Sequence, residues 1–178
     1  MPELPDVENL RRGLSERVTG RRIMSVHVQD RKIFAAGDQL IAQQVTGRRV
    51  GEVSRRGKVL IISLEDVGSL LIHPKMTGQI VLALGGETVL AGGHPTPSML
   101  EPMPIAATRV NFRLDRAGCL FYNDARRFGW IRLGGRDPCA EDPFLRGLGP
   151  EPWVPRSQRQ RLATAWPARP RSSQGRAA

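Results

Sequence analysis

Apolar residues recur at helical spacing near the start of the chain: Val7, Leu10, Leu14 and Val18, with arginines between them. Pro5 suits a first helical turn and Gly20 a C-terminal stop, which predicts one amphipathic helix over residues 5–18. Beyond it the pattern changes to short β-branched runs. These are Ile23–Val28, Val50–Ser54, Val59–Leu64, Ser69–His73, Gln79–Leu84, Arg109–Leu114, Cys119–Asn123 and Trp130–Leu133. Turn signals separate them at Gly57, Asp66–Gly68, Gly85-Gly86, Asp115–Gly118 and Gly134-Gly135. Strands at such spacing predict an α+β fold: a two-layer antiparallel β-sandwich with an N-terminal helix. Gly92–Pro104 holds four prolines and is expected to be an irregular loop.

From Gly149 the composition shifts. Gly149-Pro150-Glu151-Pro152 suggests a hinge out of a domain spanning 1–150. Residues 151–178 are rich in Arg, Pro, Ala and Ser, with a brief helix possible around Arg156–Trp166. That composition cannot bury enough apolar surface to fold alone, so a largely disordered basic tail is expected.

Charge narrows the partner. Lys+Arg 27 against Asp+Glu 17 gives a formal +10, which favours polyanions and nucleic acid above all. Six of the arginines and only one acid lie in residues 151–178, so half of the excess belongs to the tail. The Pro-broken, acidic start matches no leader peptide, and no run approaches the roughly 20 apolar residues of a membrane span. A cytoplasmic protein with no membrane partner is expected. Cys119 and Cys139 stand twenty positions apart without a CxxC, too few for a tetrahedral zinc site.

The candidate chemistry begins at the terminus. Proline after an initiator methionine is a context in which the methionine is normally removed, which would leave Pro2 a secondary amine. An α-amino group titrates near about 7.7–8.0, so a useful fraction is unprotonated at neutral pH. Such an amine attacking a sugar C1′ gives an obligate iminium, a strong electron sink. Glu3 is a carboxylate placed to shuttle protons beside it. Many proteins begin Met-Pro, however, and Lys58 alone reads as a solvated basic turn.

The motifs carry the argument further. Pro2-Glu3-Leu4-Pro5-Asp6-Val7-Glu8 resembles the N-terminal signature of formamidopyrimidine-DNA glycosylases, with Asp6 where Glu is commoner. Further matches follow in order: Arg55-Arg56-Gly57-Lys58, His73-Pro74-Lys75-Met76-Thr77-Gly78, Asp124-Ala125-Arg126-Arg127-Phe128-Gly129 and Leu148-Gly149-Pro150-Glu151-Pro152. The resemblance covers residues 1–152.

It implies a base-excision repair glycosylase and abasic-site lyase acting on oxidised purines in double-stranded DNA, as a bacterial, nucleoid-associated monomer. Pro2 resembles the family's nucleophile, Glu3 its acid/base residue, and Lys58 a phosphate-contacting lysine that donates a proton during β-elimination. Met76, Arg126 and Phe128 resemble the side chains that fill the gap left by an extruded lesion. Arg127 reads equally as a phosphate contact or a structural ion pair. His73, ending a strand, reads as structural.

Pro74-Lys75 stands where the family usually has Leu-Gly, and Ala106-Ala107-Thr108-Arg109 replaces a histidine-bearing stretch, with Arg109 a possible phosphate binder. The family's helix–two-turn–helix module and four-cysteine zinc finger find no match after Trp153. The expectation is a catalytic half without its clamp, weakened by truncation, with no cofactor and no metal. Three alternatives stay open: an inactive or purely DNA-binding remnant, an endonuclease VIII-like glycosylase for oxidised pyrimidines, and an unrelated RNA-binding β-barrel.

Overall fold

A computed structural model describes residues 2–34 and 40–151. The chain divides into two units, 1–148 and 149–178. Most of the second, including the expected Arg156–Trp166 helix and basic tail, lies outside the described residues.

Helix α1 (Leu4–Val18) buries Val7, Leu10, Leu14 and Val18, the stripe that its spacing predicts. It ends where Gly20, at φ 79°, turns the chain and donates its N–H to the Val50 carbonyl at 2.7 Å. The strands are β1 (Ile23–Val28), β2 (Val50–Arg56), β3 (Val59–Leu64), β4 (Gly68–His73), β5 (Gly78–Leu84), β6 (Glu87–Gly93), β7 (Thr108–Leu114), β8 (Gly118–Asp124) and β9 (Trp130–Gly134). They form a five-stranded sheet in the order β1-β7-β8-β5-β6 and a four-stranded sheet in the order β2-β3-β4-β9. Every pairing between these strands is antiparallel, so the expected sandwich is the observed one.

Burial explains the sequence pattern strand by strand. β7 alternates inward Val110, Phe112 and Leu114 with outward Arg109, Asn111 and Arg113, because only one of its faces is covered. β3, β4 and β5 read instead as continuous apolar runs because they are buried on both faces. Their inner residues join α1 in the main core. Outside the four-stranded sheet, Ile61, Leu71 and Trp130 pack with Leu145 of a short helix. Outside the five-stranded sheet, Val81, Ala83 and Phe121 pack with Met103.

Several features depart from the expectation. Residues 87–93 form a full strand, β6, at the edge of the larger sheet, so the irregular stretch starts at His94, not Gly92. Within it Pro97–Leu100 forms one 3-10 turn. β6 leaves Glu87, Thr88, Val89 and Ala91 exposed, so it lacks the apolar alternation by which a strand is recognised. Three short helices were also not expected: α2 (Ile41–Val45), α3 (Pro138–Glu141) and α4 (Pro143–Arg146). Asp137 and Asp142 cap the last two through their carboxylates.

The candidate active site and nucleic-acid face

Four pieces of chain meet at one end of the sandwich: the start of α1, the β2–β3 turn, and the β4–β5 and β8–β9 connections. The last two run side by side for a topological reason. Each crosses between the sheets, β4 to β5 in one direction and β8 to β9 in the other. His73 pairs with Trp130 on one sheet while Gly78 pairs with Asp124 on the other. Two segments fifty residues apart in sequence therefore leave and enter adjacent strands together.

The first cluster gathers Pro2, Glu3 and Lys58. Pro2 is buried at the foot of α1 and Glu3 is the residue that caps the helix. The Glu3 N–H donates to the Asp6 carboxylate at 2.7 Å, so the aspartate in the opening motif fixes how the terminus enters the helix. Lys58 sits in the β2–β3 turn, where Gly57 takes φ 55°, and its Nζ lies 3.1 Å from Glu3 Oε2. All three catalytic candidates from the sequence are thus near one another.

Glu8, quoted in the opening motif but not picked out, explains how. Its carboxylate accepts from Arg11, Arg12 and Arg55, the last at 2.8 Å from Nε. Arg55 belongs to β2 and is only 8% exposed. Glu8 therefore joins α1 to the strand that presents Lys58. Hydrogen bonding from Arg11, opposed by burial and then reinforced by Arg12 and Arg55, holds the Glu8 carboxyl down to about 2. A carboxylate among arginines is recognisable in sequence as a helical i,i+3 and i,i+4 pattern, but the long-range Arg55 contact is not.

The second cluster gathers Met76, Arg126 and Phe128. Met76 is 40% exposed and Phe128 48%, so neither is spent on the core. The Arg126 guanidinium carbon stands 4.6 Å from the Phe128 ring centroid, a cation–π contact that pairs the charge with an exposed ring. Lys75 and Arg127 adopt left-handed backbone at φ 51° and 60°. Such non-glycine conformations cost free energy and concentrate at functional loops. Gly129 is demanded by space: a Cβ there would stand 1.9 Å from the Tyr122 hydroxyl and 2.8 Å from the His73 carbonyl oxygen.

Arg127 resolves as an ion pair, its Nε 3.1 Å from Asp30 Oδ2. Arg109 donates Nε to the Asp124 carbonyl at 2.8 Å and Nη1 to the Ala106 carbonyl at 3.2 Å, so those donors are used within the protein. His73 lies between the clusters. Its Nδ1 accepts the Lys75 N–H at 3.0 Å, shaping the Met76 loop, and its ring contacts Trp130 and Phe144 edge-on. Burial first, then the charges of Lys75, Lys58 and Arg132, press its pKa down to about 4. A neutral imidazole thus stands among cations. Among the described residues no His, Cys, Asp and Glu side chains converge as a metal site, and Cys119 and Cys139 belong to no such group.

Residues 1–131 match the family model described as the formamidopyrimidine-DNA glycosylase N-terminal domain. A formamidopyrimidine-DNA glycosylase of Heliobacterium modesticaldum is 38% identical over 153 residues, which cover 85% of this chain and 51% of that protein. One from Rhizobium etli is 34% identical over 156 residues, with the same coverage. The chain spans about half the length of these curated relatives. Among solved structures, wild-type Lactococcus lactis Fpg with DNA containing an oxidised pyrimidine superposes with a TM-score of 0.69 at 29% identity. That match covers 85% of this chain and 51% of the other. The same protein with DNA containing N7-benzyl-Fapy-dG gives a TM-score of 0.64, covering 78% and 46%.

Proposed function

This chain belongs to the formamidopyrimidine-DNA glycosylase family, and from that premise we propose that it excises oxidised purines from double-stranded DNA and cleaves the abasic strand through an N-terminal proline Schiff base. The observation that carries this reading is the approach of Lys58 to Glu3 at 3.1 Å, at the foot of the helix that begins beside Pro2. Nucleophile, carboxylate and cation occupy one corner, the arrangement that covalent catalysis with proton transfer requires.

With Met1 removed, the Pro2 nitrogen donates its lone pair to C1′ as the bond to the base breaks, and the departing base takes up a proton. Glu3 takes the N–H proton of the resulting ammonium and passes it to O4′ as the C1′–O4′ bond opens, and the freed nitrogen lone pair leaves a cationic iminium at C1′. That cation acidifies C2′. Loss of the C2′ proton forms a C–C double bond and expels the 3′-phosphate, with Lys58 placed to neutralise the leaving oxygen. Met76, Arg126 and Phe128 fill the stack that the extruded lesion vacates, where an apolar wedge and a cation partly replace lost stacking and pairing. The working state is a monomer on duplex DNA in the bacterial cytoplasm, without a cofactor.

A second reading, oxidised pyrimidines as substrate, draws support from the relative solved with DNA of that kind. Borohydride trapping tests both. Tag-free protein whose mass matches a Pro2 terminus is incubated with duplexes carrying 8-oxoguanine, an oxidised pyrimidine or an abasic site, beside Pro2→Gly. A trapped adduct that weakens in the variant supports the Schiff base, and the preferred duplex assigns the lesion. Adduct on abasic DNA alone leaves a lyase without base recognition. No adduct at all overturns the enzymatic reading in favour of a binding remnant.

A further inference from the structure

The two connections that carry the wedge are bonded to each other through groups outside the wedge. Thr77 follows Met76, and its hydroxyl donates to Asp124 Oδ1. The Thr77 hydroxyl oxygen in turn accepts the Arg126 N–H at 3.2 Å. Asp124 is fully buried at the end of β8, and its second oxygen accepts the Gly129 N–H at 2.7 Å. One threonine and one aspartate thus hold both ends of the 125–129 loop and the neighbouring 74–77 loop. Gly78 closes the latter, its N–H donating to the Pro74 carbonyl at 2.9 Å with no room for a Cβ.

We infer that Thr77 and Asp124 are positioning residues that lock the Met76 loop to the Arg126–Phe128 loop, so that the three side chains enter a duplex as a single wedge. The inference rests on the proposed lesion-extruding function. Its physical basis is independent: hydrogen bonds to a buried carboxylate are the strong class, and removing one partner leaves the other desolvated. Each loop also carries a left-handed residue, Lys75 or Arg127, a conformation that persists only where its surroundings enforce it. The separate clamp of Arg127 on Asp30 anchors the far side of the second loop without linking it to the first.

The test compares wild type, Thr77→Val, which keeps the shape and removes the hydroxyl, and Thr77→Ser, which restores it. Amide hydrogen exchange on the DNA-free chain reads the lock. Arg126 exchange should rise about ten-fold in Thr77→Val and return in Thr77→Ser, the scale expected for one lost hydrogen bond. The wedge is read by 2-aminopurine opposite the lesion in a duplex at saturating protein. Its fluorescence gain should fall in Thr77→Val and recover in Thr77→Ser, with the melting temperature of the protein held.

Unchanged Arg126 exchange in Thr77→Val would overturn the lock. Raised exchange with a full fluorescence gain would overturn its role in the wedge, as would losses that appear only alongside a lower melting temperature. Wild type with no fluorescence gain and no trapped adduct sinks the glycosylase reading instead, and the exchange data still decide whether the loops are coupled.

Discussion

Lys58 Nζ and Glu3 Oε2 meet at 3.1 Å although 55 residues separate them, and the contact joins the helix start to the β2–β3 turn. The pair is partly exposed, Glu3 at 64% and Lys58 at 30%, so it adds little to stability and is open to substrate. Glu3→Gln keeps the shape and removes the proposed proton carrier. It is expected to slow base release on the order of 100-fold, the range of general acid–base catalysis, while unfolding shifts by less than about 0.5 kcal/mol. Single-turnover gel assays beside thermal melts check this. A large fall in the melt would make Glu3 structural.

Glu8 should behave in the opposite way. Glu8→Gln weakens its bonds to Arg11, Arg12 and the 8%-exposed Arg55, a charge-assisted set of about 1.5–3 kcal/mol. Urea unfolding should show that loss, with the midpoint lowered and the slope unchanged. Trapping on abasic DNA should fall too, because the strand that presents Lys58 is no longer tied to α1.

Met76→Ala and Phe128→Ala are expected to leave stability within about 0.5 kcal/mol of wild type, since both side chains face solvent. Excision from a duplex should drop in each. A loss of 2 kcal/mol or more in unfolding would return them to the core.

Gly129→Ala places a Cβ 1.9 Å from the Tyr122 hydroxyl. Tyr122 is fully buried, and burial, then the nearby Asp124 charge, holds its phenol far above the ordinary range, so it stays neutral. The alanine should cost about 1–3 kcal/mol by overpacking. In a Tyr122→Phe background the cost should shrink, giving a non-zero coupling in a double-mutant cycle. Full additivity would show that the hydroxyl is not what excludes a side chain there.

Acid sensitivity follows from two depressed groups. His73 is pushed from 6.5 to about 4, so the unfolded chain binds more protons than the folded one between those values, and stability falls as pH drops through that window. Glu8, pushed from 4.5 to about 2, adds a second loss as pH drops below 4.5. Melting temperature should therefore be level above pH 7 and decline in two stages. His73→Phe should flatten the first stage only, and an unchanged slope between pH 6.5 and 4 would remove His73 as its cause.

Much of this was legible locally. The α1 stripe needs only a 3.6-residue period, and eight strands were readable because β-branched runs alternate with turn glycines. Strand β6 escaped because an edge strand with four exposed positions carries no apolar pattern. The short helices α2, α3 and α4 escaped because four or five residues are too few to show a period. Of the site, Pro2, Glu3, Lys58, Met76, Arg126 and Phe128 came from ordered motifs, whereas Glu8, Thr77 and Asp124 stood inside the same motifs without distinction.

What the chain order settled is which residues face the core, where the backbone turns, and which side chains carry chemistry, because these depend on neighbours a few positions away. What the tertiary structure decided is which of those side chains meet. Glu3 reaches Lys58, Glu8 reaches Arg55, Arg127 reaches Asp30 and Thr77 reaches Asp124 only because two adjacent crossovers and one helix start share an end of the sandwich. Spacing along the chain carries no trace of such contacts, since they arise from strand order and register rather than from local periodicity.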